Sequence, residues 1–244
     1  MDKISKNVGK AEIIVFTDGA SRRNPGPGGW GSVVVDGERV FELGGGEGNT
    51  TNNRMELTAV VHGLAETAEG SDVTIYTDSR YTIYGITKWI KSWKKNGWIT
   101  KTKNEVLNRD LWEKIHDLAE KRTVKWEHVG GHVGVRGNER CDWIATEFAD
   151  GNNPRLYRGP VKDYPVAGIL NIDHDAIKAE TKKSDSSRSR ASAYSYVSMV
   201  NGVVQTHKTW AECEKRVKGT RGAKYKKALS SAEEATIMGE FKSS

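Results

Sequence analysis

Four acidic residues stand where a cluster of carboxylates could form. FTDGA and YTDSR each end a short β-branched run on an aspartate, Asp18 and Asp78. Glu56 lies between Met55 and Leu57 in a segment of helical spacing, and Asp142 falls in NERCDWIA, again among apolar neighbours. Taken singly, each has an ordinary explanation: an aspartate that closes a turn on its own backbone, or a solvated helix acid. Taken together, they fall at element ends that one fold can gather. Four carboxylates in one place repel each other and are costly to assemble unless cations neutralise them. Oxygen-only ligands suit Mg2+ or Mn2+ rather than zinc. Two such ions about 4 Å apart would activate a water and stabilise a leaving oxygen, as in phosphodiester hydrolysis.

The elements that must position them follow from the apolar pattern. Residues 11–17 (AEIIVFT) read as a buried strand bounded by Asp18-Gly19. NPGPGG at 24–29 is a turn. Strands at 30–35 and 39–43 flank Asp36-Gly37, a hairpin signal. Residues 53–69 are helical, 72–77 a strand, 81–95 and 105–121 helices with Gly97 between them, 123–129 a strand and 138–149 a helix. Three strands, helix, strand, helices, strand, helix spell an α/β fold with a mixed sheet. The strands at 11–17 and 72–77, separated by a helix, can lie parallel with their carboxyl ends together, where open α/β sheets place their sites.

Beyond Asp150 the composition changes. Residues 151–165 are rich in Gly, Pro and Asn, and 181–192 (TKKSDSSRSRAS) are polar and low in complexity, so 151–192 reads as a linker. Aromatic and apolar residues return in 193–244. Charge divides the same way: of the net +6, residues 178–244 carry +7 and residues 1–177 carry −1. That asymmetry fits either solubility or a polyanionic partner such as nucleic acid. No run is long enough to span a bilayer, residues 1–10 lack a signal-peptide pattern, and Cys141 and Cys213 are too few and too separated for a disulfide framework. A monomer in a reducing cytoplasm, away from membranes, is the expectation.

Residues 11–150 resemble type 1 ribonuclease H of the bacterial kind. The resemblance rests on FTDGASRRNPGPGGWG, GNTTNNRMEL, YTDSRYTIYGITKWIKSWKKNGW, NRDLW and VGGHVGVRGNERCDWIA, in that order. It implies a five-stranded mixed sheet flanked by helices. It also implies cleavage of the RNA strand of RNA–DNA hybrids by two Mg2+ ions, with Mn2+ as an alternative, leaving 5′-phosphate and 3′-hydroxyl ends. By the resemblance Asp18, Glu56, Asp78 and Asp142 hold the metals, and His132 in the Gly-rich loop assists proton transfer or product release. Asn24, Asn52 and Asn53 are similar to contacts with RNA 2′-hydroxyls, and Thr51 and Asn108 to a pocket for a DNA phosphate. Residues 88–103 hold six lysines and no acid and resemble the family's basic handle. Trp89, Trp93, Lys94 and Lys95 are its expected substrate contacts, unless the tryptophans merely pack the core. Arg80, where glutamine is frequent, and Asn49, where some members have arginine, depart from the pattern and bear on affinity.

Residues 193–244 resemble the small hybrid-binding domain of cellular ribonucleases H1, through YSYVSMVNGVV, KTWAECEKRV and AKYKKALSSAEEA. By it Trp210 and Tyr225 contact the DNA strand, with Tyr196 nearby, and Lys226 and Lys227 contact phosphates. The family carries this module at the N-terminus, whereas here it follows the linker. A tethered second site would raise local substrate concentration. Two other readings compete: a DNA-cutting nuclease of the same fold, disfavoured by the handle and asparagines, and a non-catalytic binder, disfavoured by the four retained carboxylates.

Overall fold

The computed structural model describes residues 12–100, 103–130, 134–175, 177 and 192–243. The larger sheet is built on β1 (Ile13–Ser21), β2 (Gly26–Asp36), β3 (Arg39–Thr50), β4 (Asp72–Thr77), β5 (Thr123–His128) and β6 (Arg158–Pro160), in the order β5-β4-β1-β2-β3-β6. β1 pairs parallel with β4, and β4 with β5, while β1–β2–β3 form an antiparallel meander. The mixed α/β sheet expected from the sequence is present. It has six strands rather than five, because Arg158–Pro160 add to the free edge of β3.

That sixth strand also corrects the expected linker. Val161 N donates to the Glu38 carbonyl, and Tyr164 and Ile169 are buried, so the first part of 151–192 packs on the sheet. Residues 178–191 lie outside the described residues.

α1 (Asn52–Ala65) and α5 (Arg136–Ala149) pack on opposite faces. A Cβ on Gly63 of α1 would meet Val15, and one on Gly137 of α5 would meet the Phe16 ring. Successive strand residues point to opposite faces, so the two helices sandwich β1. The core between them includes Phe16, Met55, Leu57, Leu64, Ile75 and Ile144, all essentially without solvent contact. α4 (Arg109–Glu120) contributes Trp112, whose indole N–H donates to the Tyr81 hydroxyl at 3.3 Å. The expected helix at 81–95 is interrupted: α2 (Arg80–Tyr84) and α3 (Ile90–Lys95) are joined by a π-helical turn at Gly85–Trp89.

A second, three-stranded antiparallel sheet has the order β8-β7-β9, from β7 (Ser195–Val200), β8 (Val203–His207) and β9 (Lys224–Ala228). α6 (Trp210–Val217) starts with a capping box: Thr209 accepts from Glu212 N while Glu212 reaches back to the Thr209 N–H. α7 (Ser231–Ser243) covers the other face and closes a core of Val197, Met199, Ala228, Ile237 and Phe241. By contact density the chain forms two compact units, 1–83 with 111–173, and 84–110 with 174–244. Cys141 and Cys213 are buried and form no disulfide, and no helix among the described residues is long and apolar enough to cross a membrane.

Candidate active site

The register of β1 and β4 assembles the first two carboxylates. Thr17 pairs with Thr77 as the last parallel pair, so Asp18 and Asp78 leave adjacent strands at one level. Asp18 is not at the end of its own strand as expected. β1 runs on to Ser21 against β2, and only its pairing with β4 stops at Thr17.

Two close backbone approaches bring in the other two. A Cβ on Gly19 would lie 2.2 Å from Glu56 N and 2.5 Å from the Met55 carbonyl carbon. Only glycine lets the first turn of α1 come this near, and this sets Glu56 beside Asp18. On the opposite face Gly31, the β2 partner of Asp18, would place a Cβ 2.5 Å from the Cys141 oxygen. That contact holds α5 down next to Asp142.

The charges feel one another. Burial is the largest influence on Asp18, and with Asp78, Glu56 and Asp142 it pushes the carboxyl well above the usual range, against a 2.7 Å bond from the Gly19 N–H. Glu56 is pushed to about 8, first by loss of solvent and then by Asp78; donors from Ser79 and Asn52 oppose this. Glu56 Oε1 accepts from Asn52 Nδ2 at 2.8 Å, and Oε2 accepts from Ser79 Oγ. Among the described residues, no group of three or more His, Cys, Asp or Glu is already set around a metal-holding point. The donor set nonetheless fits hard divalent cations: oxygen ligands only, and a mutual repulsion that such a cation relieves.

The expected substrate contacts fare unevenly. Asn24 Oδ1 accepts from Asn52 N at 3.3 Å, so the chain Asn24–Asn52–Glu56 links two expected RNA contacts to a carboxylate. Thr51 caps α1 by accepting from Arg54 N at 3.3 Å, and Asn53 lies half-buried in the first turn. Asn108 adopts left-handed backbone, φ 58°, just before α4. His132 lies outside the described residues.

In the handle Lys88, Lys91, Lys94 and Lys95 are exposed and Trp89 is half-buried. Trp93 is corrected: at 3% exposure it packs between Trp89 and Trp98, with ring centres 5.6 and 6.4 Å away, and is closed to a substrate. In the module Trp210 lies 5.6 Å from Tyr196 and 4.9 Å from Tyr225, a solvent-facing aromatic row. Lys227 shares their face, being paired with Tyr196. Lys226 is corrected: strand alternation turns it to the α7 face, where it pairs with the buried Glu240 carboxylate.

Two residues escaped the sequence reading. Ser79, next to Asp78, holds Glu56. His128, at the end of β5 opposite Thr77, donates from Nε2 to the Asp78 carbonyl at 3.1 Å. A polar residue where the parallel pairing of each of three adjacent strands stops was the available signal.

The RNase H family model matches residues 10–150. The chain belongs to the RNase H family. A ribonuclease H from Pseudomonas syringae pv. syringae is 51% identical over 138 residues, covering 57% of this chain and 92% of that protein. One from Thermosynechococcus vestitus is 51% identical over 142 residues, covering 56% and 88%. Among solved structures, LC9-RNase H1, described as a type 1 RNase H with the type 2 active-site motif, aligns with TM-score 0.55 and 25% identity over 68% of this chain and 90% of that one. A second model, for the ribonuclease H1 N-terminal domain, matches residues 201–236. The chain is thus a ribonuclease H whose second compact unit contains a segment like the hybrid-binding module.

Proposed function

We propose that this ribonuclease H cuts the RNA strand of RNA–DNA hybrids with two Mg2+ ions, Mn2+ serving in their place, to leave 5′-phosphate and 3′-hydroxyl ends. Asp18, Glu56, Asp78 and Asp142 are the metal-holding carboxylates. When bound, such ions supply activation of an attacking water and neutralisation of charge at the phosphate. The observation that carries this reading is the Thr17–Thr77 register, which sets Asp18 and Asp78 side by side, with Glu56 and Asp142 close enough to raise the Asp18 carboxyl.

The remaining residues position and recognise. His128 and Ser79 fix the Asp78 backbone and the Glu56 side chain. Asn24 and Asn52 present amides suited to a 2′-hydroxyl, which both donates and accepts. The exposed handle lysines, Lys94 and Lys95 among them, take DNA phosphates. We also propose that residues 1–150 form the catalytic domain and 193–244 a hybrid-binding domain, gripping DNA through Trp210, Tyr225 and Lys227. The test is cleavage of a labelled hybrid with Mg2+, beside double-stranded RNA and double-stranded DNA. Cutting confined to the hybrid and abolished in Asp78→Asn, with hybrid binding retained, is expected. Undiminished cutting by Asp78→Asn refutes the site.

A further inference from the structure

The C-terminal sheet carries a polar feature beside its aromatic row. Cross-strand pairing sets His207, Tyr196 and Lys227 in one transverse line, and Gln205, Ser198 and Tyr225 in the next. Directly paired residues share a face, and α6 crosses this one. Arg216 of α6 donates from one guanidinium nitrogen to Ser198 Oγ at 2.7 Å and from another to the Val203 carbonyl at 3.1 Å. Ser198 Oγ lies 2.7 Å from His207 Nε2. Between β8 and α6 opens a cavity of about 400 Å³, lined by Gln205, Thr206, His207, Glu212, Lys215 and Arg216.

Two full positive charges line this cavity without a carboxylate partner among the described residues. Arg216 bonds only neutral oxygens, those of Ser198 and Val203. They fix the guanidinium in place yet leave donors over, since the group has five N–H bonds. Lys215 is exposed and has no partner among the described residues. One acid, Glu212, also lines the cavity. Its Oε2 accepts from the Lys208 and Thr209 N–H groups at 3.0 and 3.3 Å, which offsets part of its charge. An anchored guanidinium beside an exposed ammonium suits a phosphate, which takes the arginine fork.

We propose that this cavity is a phosphodiester-binding subsite, with Arg216 and Lys215 taking the backbone phosphate and His207 and Gln205 at its rim. The proposal rests on the reading of the module as a hybrid-binding domain and extends it. The strand lying on Tyr196, Trp210 and Tyr225 is then held from both sides, by Lys227 across β9 and by Arg216 and Lys215 across β8. The two grips stand about two strand spacings apart, ~10 Å. Continuity with the aromatic row selects a polynucleotide over a free anion, because stacking and phosphate contacts then act on one ligand.

The experiment measures hybrid affinity of the full chain by fluorescence anisotropy, without divalent cations, from 50 to 200 mM salt. Lys215→Gln and Arg216→Gln should each weaken binding roughly 3- to 10-fold and reduce the slope of log K against log salt by about 1. Glu212→Gln should tighten binding, since glutamine still serves in a capping box while the charge is gone. Lys242→Gln, on α7, is the control for general charge. An unchanged slope in Lys215→Gln and Arg216→Gln, with binding weakened by Trp210→Ala, overturns the subsite and leaves the module's role standing. If Trp210→Ala is also without effect, the hybrid-binding reading itself falls. An equal loss of slope in Lys242→Gln overturns the subsite as well. So does competition by inorganic phosphate that is the same for wild type and Arg216→Gln.

Discussion

Replacing Glu42 with glutamine tests whether the segment after residue 150 is part of the catalytic unit. Glu42 of β3 is 3% exposed and receives four donors: Arg140 Nε at 2.7 Å, a terminal Arg140 nitrogen at 3.1 Å, Tyr157 N at 2.8 Å and the Tyr164 hydroxyl at 2.7 Å. Tyr157 and Tyr164 lie beyond the residues that match the family model, so half of this cluster is supplied from outside it. A glutamine oxygen can keep the donors on one side, but its NH2 then meets donors on the other. Arg140 also loses its counter-charge. Removing one partner of a buried pair costs about 3–5 kcal/mol. The Arg140 side chain is 20% exposed, so the lower end applies: about 3 kcal/mol, or a fall of roughly 6–12 °C in melting temperature for a unit of this size. Burial alone would raise the Glu42 carboxyl, but Arg140, Tyr164 and Tyr157 together outweigh it and hold the carboxyl below its ordinary 4.5. A depressed folded-state value stabilises above the unfolded value and is lost as pH falls through the depressed one. The gap between wild type and Glu42→Gln should therefore be full at pH 7 and close progressively below about pH 4.5. Urea melts followed by circular dichroism at pH 7 and at steps down to pH 3 measure it. A gap under ~1 kcal/mol at pH 7, or one that persists undiminished at pH 3, refutes the reasoning.

Two further outcomes follow from close packing. Gly19→Ala puts a methyl 2.2 Å from the Glu56 backbone nitrogen, so α1 must shift. About 1–3 kcal/mol of stability should be lost, and hybrid cleavage should fall on the order of 10²-fold with the displacement of Glu56; a fully active alanine variant would contradict the proposed packing. In the handle, Trp93→Ala should cost about 3–5 kcal/mol and be seen as a lowered melting temperature. The double variant Lys94→Ala, Lys95→Ala should melt normally, raise KM for the hybrid and lower the salt slope by about 2. Normal melting of Trp93→Ala, with a lowered melting temperature in the lysine double variant, would contradict the buried packing of Trp93.

How far the sequence revealed this molecule depends on which scale decides each feature. Asp18 and Asp78 were legible because a β-branched run ending on an aspartate is a local signal, and the parallel pairing of the two runs follows from the helix between them. The length of β3 was not legible. GGGEG lacks strand propensity, and its extension to Thr50 is imposed by β2 and by α5, whose Phe148 ring occupies the space a Gly44 side chain would need. The strap at 157–164 read as linker for the same reason. Tyr157 and Tyr164 show no periodicity, and their partner Glu42 is 115 and 122 residues away.

Lys226 and Lys227 show where a motif and its geometry separate. As the pair in AKYKKA they invited one role. Strand alternation assigns them opposite faces: Lys227 stands with Tyr225 and Trp210, while Lys226 meets Glu240 behind the sheet. The same alternation admits Ser198 and His207 to the aromatic face and so creates the floor beneath Arg216. The proposed hybrid grip of the module therefore depends on which parity each residue has in β7, β8 and β9. A one-residue slip of β9 against β7 would move Tyr225 to the α7 side and Lys226 and Ala228 to the aromatic face. The buried Ala228 and the Lys226–Glu240 pair oppose that slip, so the lysine turned away from the aromatic row serves to hold the register on which the proposed grip depends.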